Sequence, residues 1–268
     1  MPSPLVSIVI PVFNEESILL KNVETLSESF DRIVGPDLWG FIFVNNGSTD
    51  QTANLLEEVT RRLPLTRVIF EQQPNYGLAL RAGLRAVETP FAHPIDIEQW
   101  DLIFFEWAWK QRDSFDLFIG SKRADPTINH QPAYRWLLSW GLNALLQLFF
   151  SYTGTETHGP KLIRMERVKP LLDLCILDRG QFDTEVVLRS SRAGLRIIEA
   201  PVVHVEHRPA RNLMLKKIFW NLRAFYRLRK VMVTVPFEGP TRHYRVARED
   251  VLAAVAPAQG RKLSDIAH

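Results

Sequence analysis

The 268-residue sequence predicts an α/β fold built on a mostly parallel, doubly wound sheet flanked by helices. Three observations carry that expectation. Near-continuous apolar, β-branched runs suit strands covered on both faces. Each of the first three runs is followed by a stretch whose apolar residues recur at helical spacing. The connections between them are short, as strand–helix–strand crossovers in a parallel sheet require.

The elements follow in order. "LVSIVIPVF" (5–13) reads as a first, central strand. "NEESILLKNVETLSESF" (14–30) reads as a helix, with Ile18, Leu19, Val23, Leu26 and Phe30 on one face. Asn14 is its expected N-cap, with glutamates in the first turn. "WGFIFVNNGS" (39–48) is a second strand ending in a polar turn, and "TDQTANLLEEVTRRL" (49–63) a second helix. "TRVIFEQQ" (66–73) and "NYGLALRAGLRAVET" (75–89) form the third such pair. In "FAHPIDIEQWD" (91–101), Pro94 predicts either an edge-like strand or short pairing, followed by the acids Asp96, Glu98 and Asp101. "LIFFEWAWKQRD" (102–113) reads as a helix that Asp101 can cap, and "FDLFIGSKR" (115–123) as a strand. "GPKLIRMERVKPLLDL" (159–174) gives a strand and a helix, and "QFDTEVVLRSSRAGLRIIEAPVVHVEH" (181–207) a helix and a strand. This organisation predicts one domain over 1–208, a basic amphipathic helix over 209–235 and a loosely packed polar tail over 236–268.

Composition narrows the function classes. Hydrophobic residues make up 46% and charged residues 24%, and the formal net charge is +3, which is globular and only mildly basic. The single cysteine excludes an internal disulfide framework and a Cys-based zinc cluster, and suits a reducing, cytoplasmic setting. The first residues predict no signal peptide. "WLLSWGLNALLQLFFSY" (136–152) carries no charge but is short for a membrane span and holds Ser139, Asn143 and Gln147, so it reads as a half-buried or interfacial helix. "RNLMLKKIFWNLRAFYRLRK" (211–230) has no acidic residue and places Leu215, Ile218, Phe219, Leu222, Phe225 and Tyr226 on one face. Two readings fit it: a helix lying on an anionic membrane surface, or one docked on the protein's own core with a solvated basic back. A basic helix without a reading motif gives no ground for nucleic-acid binding. No G-x-G-x-x-G follows the first strand, which argues against a dinucleotide-binding domain.

Ligands of doubly wound sheets bind beyond the carboxyl ends of the strands. Those ends here carry "VFNEE", "NNGSTD" and "DIE". On a strand end, Asp96 and Glu98 point to the same side, but taken alone the stretch reads as an ordinary polar turn.

Seven pieces taken in order, "VSIVIPVFNEE", "VNNGSTDQT", "NYGLALRAGL", "DIE", "IGSKR", "GPKLIRME" and "FDTEVVLRSSRAGLRIIEAPV", resemble the motif series of the inverting glycosyltransferases of family 2. That family has a GT-A type nucleotide-sugar fold, and the likeness is greatest to its polyprenyl-phosphate (dolichyl-phosphate) mannosyl- and glucosyltransferases. It covers about residues 5–208. The resemblance implies a nucleotide-sugar donor whose base lies against the strand end Pro11, Val12 and Phe13, with Val44 also among the substrate-binding residues. Glu15 would accept hydrogen bonds from ribose or base, or serve only as helix-start charge. Asn46 stands at the family's base-reading aspartate, while Asn45 suits turn chemistry. Asp96 and Glu98 stand at the D-x-D acids and would hold Mg²⁺ or Mn²⁺. Arg123 is the implied diphosphate clamp, and Arg135 and Lys161 the groups nearest an acceptor phosphate. Asp183 would organise the site, and Glu185 is the second choice for a general base. The implied acceptor is a polyprenyl phosphate, reached by peripheral contact with the inner face of a membrane. A soluble transferase to a hydroxyl acceptor and a catalytically inactive nucleotide-sugar-binding relative remain as alternatives.

Overall fold

Seven consecutive buried residues form β1 (Val6–Val12) near the middle of the sheet. In the computed structural model, residues 3–125, 141, 144–178, 180–203, 223–230, 232 and 242–256 are described. β2 (Trp39–Asn46) runs parallel to β1, in register from Val6 opposite Trp39 to Val12 opposite Asn45. β3 (Arg67–Glu71) closes that side as an edge and is correspondingly more exposed. The crossovers are α1 (Leu19–Ile33), α2 (Thr52–Arg62) and α3 (Tyr76–Arg85). The helix α3 lies very close to the sheet: a Cβ on Gly83 would stand 2.5 Å from Val9 Cγ1 and 3.0 Å from Val44 Cγ2.

On the other side of β1 comes β4 (Phe91–Pro94). Its pairing is short, as Pro94 predicts, but it is not an edge: it is parallel to β1 and antiparallel to β6 (Lys161–Arg164). Next come β5 (Leu117–Ser121), β7 (Arg196–Pro201) and β8 (Arg242–Arg245). The order is β3-β2-β1-β4-β6-β5-β7-β8, and every pairing in it is parallel except the two made by β6.

Alternation along the strands divides the core into two layers. Val6, Ile8, Ile10 and Val12 face α1, α2 and α4 (Leu102–Lys110), whereas Val9 faces α3, α6 (Met165–Leu172) and α7 (Gln181–Arg192). Helical residues 144–150 (α5) and 223–230 (α8) join the second layer through Leu146, Phe150 and Leu228.

Two expectations need correction. The first helix starts at Leu19 with no acid in its first turn, because Asn14 adopts φ 56° and serves a loop contact instead of a cap. The tail is not loosely packed over 242–256. There β8 adds to β7 in parallel, and α9 (Arg248–Val255) sets Val251 and Val255 into the layer that holds the α4 aromatics. The exposed, polar residues of β8 hide this pairing from hydropathy.

Candidate functional site

The carboxyl ends of β1 and β2 lead into two loops that bind each other. Asn14 donates its N–H to Ser48 Oγ at 3.1 Å, and its Oδ1 accepts from Thr49 N at 2.8 Å. Glu16 N donates to Asp50 Oδ2 at 3.2 Å, and Gln51 N returns a bond to Glu16 Oε2 at 2.9 Å. Glu15 is buried, with its N–H on Thr52 Oγ1 at 2.9 Å. Pro11 and Val44 are neighbours in register at the end of β1, and Phe13 stands exposed beyond them. Asn45 accepts from Ser48 N at 3.0 Å, which is turn chemistry. Asn46 is also buried, and its Oδ1 accepts from Asn75 N at 2.8 Å, tying β2 to the start of α3.

Beside this lies a cleft at the carboxyl ends of β4, β5 and β7, lined among others by Tyr76, Asp96, Lys122, Glu156, Lys161 and Asp183. After β4, the bond from Gln99 N to Asp96 O at 3.0 Å folds 96–99 into a tight turn. Asp96 and Glu98 therefore approach each other across a turn in which the intervening Ile97 is buried, and not along a strand pleat as expected. Asp96 opens onto the cleft, yet the surrounding walls strip much of its water. That desolvation, with the charges of Asp183 and Glu98, pushes its pKa up to about 6 against the opposing pull of Lys161 and a hydrogen bond from Tyr76. Burial, with the charges of Asp96 and Asp183, raises the Tyr76 phenol well above its usual value.

Lys161 is almost fully buried and donates to Asp183 Oδ1 at 2.8 Å and to Gly159 O at 2.9 Å. The turn that delivers it needs glycine: a Cβ on Gly159 would sit 1.7 Å from the carbonyl oxygen of Gly120. Glu156, also buried, accepts from Thr157 N at 3.0 Å and His158 N at 3.1 Å, while its Oε2 has no hydrogen-bond partner. Burial alone would raise its pKa, but Arg123, Lys122 and His158 more than reverse that. Arg123 Nη2 stands 3.9 Å from Glu156 Oε1, so Arg123 backs the wall on which Lys122 faces the cleft.

The structure separates the two α7 acids. Asp183 lines the cleft; Glu185 does not, and is fully buried. Glu185 accepts from Ile176 N, Leu177 N and Arg189, at 2.7–3.0 Å throughout. A carboxylate so fully engaged holds the loop before α7 and has no lone pair to spare for an acceptor, so the base assignment to Glu185 is corrected to an internal clasp. Asp101 caps α4 by accepting from Phe104 N at 2.8 Å. Arg135 lies outside the described residues. Among the described residues no group of three or more His, Cys, Asp or Glu side chains forms a ready-made metal cage. Sequence reasoning passed over Tyr76 and Glu156. Tyr76 follows the Asn75 cap in a motif that reads as helix packing, and Glu156 lies in a stretch without periodicity.

Residues 7–96 match the family model described as Glycosyl transferase family 2. An uncharacterised glycosyltransferase of Mycobacterium bovis is 27% identical over 205 residues, covering 75% of this chain and 86% of the relative. A dolichyl-phosphate beta-glucosyltransferase of Trichomonas vaginalis is 28% identical over 214 residues, covering 75% of this chain and 65% of that protein. A mannosyltransferase of Pyrobaculum calidifontis, solved in complex with GDP-Man and Mn²⁺, superposes with a TM-score of 0.54 at 18% identity, over 85% of this chain. This chain spans 64% of that solved chain. Sequence match, sheet order and the cleft at the strand ends agree: residues 7–96 are similar to the Glycosyl transferase family 2 model, and they sit in a fold of the GT-A type.

Proposed function

We propose that the protein is an inverting glycosyltransferase that moves a hexose from a nucleotide sugar to a lipid-linked acceptor, a polyprenyl phosphate. The observation that carries this reading is the charge arrangement of the cleft. Asp183 is paired with Lys161, and Glu185 is locked away, so among the described residues neither α7 acid faces the acceptor as a free base. A phosphate acceptor is already an anionic nucleophile and needs none.

The base and ribose of the donor lie against Pro11, Phe13, Val44, Glu15 and Asn46, and its diphosphate faces Asp96. Asp96 and Glu98 would hold Mg²⁺ or Mn²⁺. Their oxygen atoms suit such ions, and a divalent cation would offset both the lost water and the neighbouring acid charges that raise the proton affinity of Asp96. The bound ion supplies charge neutralisation for the departing nucleoside diphosphate. Lys122 and Arg123 add positive charge at the same wall, and Lys161, with Arg135, serves the acceptor side.

The surface beside α5 and α8 supports a lipid-borne acceptor. Leu148 is 75% exposed, and Tyr226 is 62% exposed. Phe225 packs against Phe149 and Phe150, Arg229 lies over Phe149, and Lys230 over Tyr226. An apolar patch ringed by cations is the chemistry of peripheral contact with an anionic membrane, here its cytoplasmic face. No helix among the described residues is long and apolar enough to cross a membrane.

The test is transfer of labelled sugar from a panel of nucleotide sugars to a short polyprenyl phosphate, with Mn²⁺ or Mg²⁺. Asp96→Asn is expected to lower kcat/KM at least about a hundredfold. No transfer and no metal-dependent nucleotide binding would sink the proposal. Transfer to a sugar hydroxyl that Asp183→Asn abolishes, without response to lipid phosphate, would favour the soluble alternative, for which the position of Asp183 on the cleft speaks.

A further inference from the structure

At the end of the sheet opposite the cleft lies a polar depression of about 380 Å³. Asp116 precedes β5, Arg164 closes the antiparallel β6, Arg167 lies on α6, and Arg196 and Arg242 open β7 and β8. Four guanidinium groups and the carboxylates of Asp113 and Asp116 line it. The acids do not balance the cations locally. Asp116 is buried and already engaged: it accepts from Arg196 N at 2.9 Å, Nη2 at 3.2 Å and Nε at 3.3 Å, and Arg164 Nε stands 3.8 Å away. Burial alone would raise the Asp116 pKa, and the Arg196 bonds, with a smaller pull from the charge of Arg167 beyond ion-pair distance, hold it below the ordinary value instead. Asp113 is largely exposed and only 3.5 Å from Arg164, a weak, solvent-screened pair.

That leaves two cations over. Arg167 and Arg242 make no ion pair among the described residues. Arg242 is moreover the cross-strand partner of Arg196, so two like charges stand side by side on one face of a parallel pair. Like charges so placed repel, and the one carboxylate bonded there, Asp116, is spent on Arg196 and not on Arg242. Guanidinium forks converging from three or four elements match the oxygens of a phosphate group.

We propose that this depression binds a soluble phosphate-bearing anion, of phosphate-ester or diphosphate class, independently of the donor cleft. Arg167 and Arg242 supply the recognising forks, and Asp116 holds Arg196 and Arg164 in place beside them. The length of β5, about 13 Å of extended chain, separates the two ends of the sheet, so one diphosphate cannot occupy both sites.

The probe is pyrophosphate, titrated calorimetrically into the full chain in EDTA, where a metal-dependent cleft is silent. Saturable binding is expected, weakened at least about tenfold in Arg167→Gln/Arg242→Gln, with metal-dependent nucleotide binding unchanged. Both side chains are exposed, and each single variant is measured as well, with its unfolding midpoint, so that misfolding does not pass for lost binding. No saturation, or equal binding by the double variant, overturns the proposal. Cosedimentation with phosphatidylserine vesicles is the second arm. Loss of vesicle retention in the double variant without pyrophosphate binding would assign the phosphate to a lipid headgroup and overturn the soluble ligand. The outcome is separable from that of the transferase assay, because neither Arg167 nor Arg242 touches the cleft.

Discussion

His93 stands next to Pro94 and three residues before Asp96, yet it belongs to the scaffold. It packs against Phe105 and Phe30, and its Nδ1 lies 2.6 Å from the Lys161 carbonyl oxygen. Burial pushes its pKa down to about 4. An unfolded imidazole takes up its proton near the ordinary value of 6.5, so between these limits the unfolded chain holds more protons than the folded one. The stability His93 contributes is therefore complete above about pH 6.5 and is lost as pH falls towards 4, by a total of order 3 kcal/mol. Urea unfolding at a series of pH values should show this slope, and His93→Gln should flatten it in that window. The neighbouring acids show what was legible at this scale. Asp96 and Asp183 were expected at a site from their motifs and Asp101 as a cap; Asp101 does cap α4, and all three line the cleft. Glu185 could not be told from Asp183 by sequence, because what distinguishes them is two backbone N–H groups, of Ile176 and Leu177, supplied by a loop without periodicity.

Strand–helix units were legible wherever burial on both sides of the sheet produced long apolar runs, which is why β1 to β3 and α1 to α3 stand close to their expected places. Elements whose stability comes from polar contacts were not. β8 is held by its backbone pairing with β7, with His243 and Arg245 set near Glu199 of β7, a fully buried carboxylate. Glu199 accepts from Thr155 N at 2.8 Å and Thr155 Oγ1 at 2.6 Å, and has His243 Nε2 at 3.1 Å. Desolvation would raise its pKa, and His243 with Thr155 turns the shift downward. Glu199→Ala removes the shared partner of several buried groups at once. It should cost about 3–5 kcal/mol in urea unfolding. Amide exchange over 242–256 should rise with it, whereas an unchanged exchange pattern would show that α9 alone docks the segment.

Across the whole molecule, the two apolar stretches 136–152 and 211–230 were visible as composition, but not their meeting. Their described parts come together because Phe225 fits between Phe149 and Phe150. If that face rests on a membrane, Leu148→Asp with Tyr226→Asp should reduce retention on anionic vesicles at least about tenfold, since each substitution withdraws one large side chain from lipid. Nucleotide binding should stay unchanged, and retention unaltered by both changes would remove the membrane reading. The loops after β1 and β2, clasped through Asn14, Glu16, Thr49 and Asp50, have a consequence for how the two sides of the cleft share the work. On the proposed placement of the donor, a nucleotide entering there would meet an anvil whose shape is set before it arrives, with little chain entropy left to lose on that side. Rearrangement on turnover would then fall to the opposite jaw, which holds Glu156, Lys161 and Asp183.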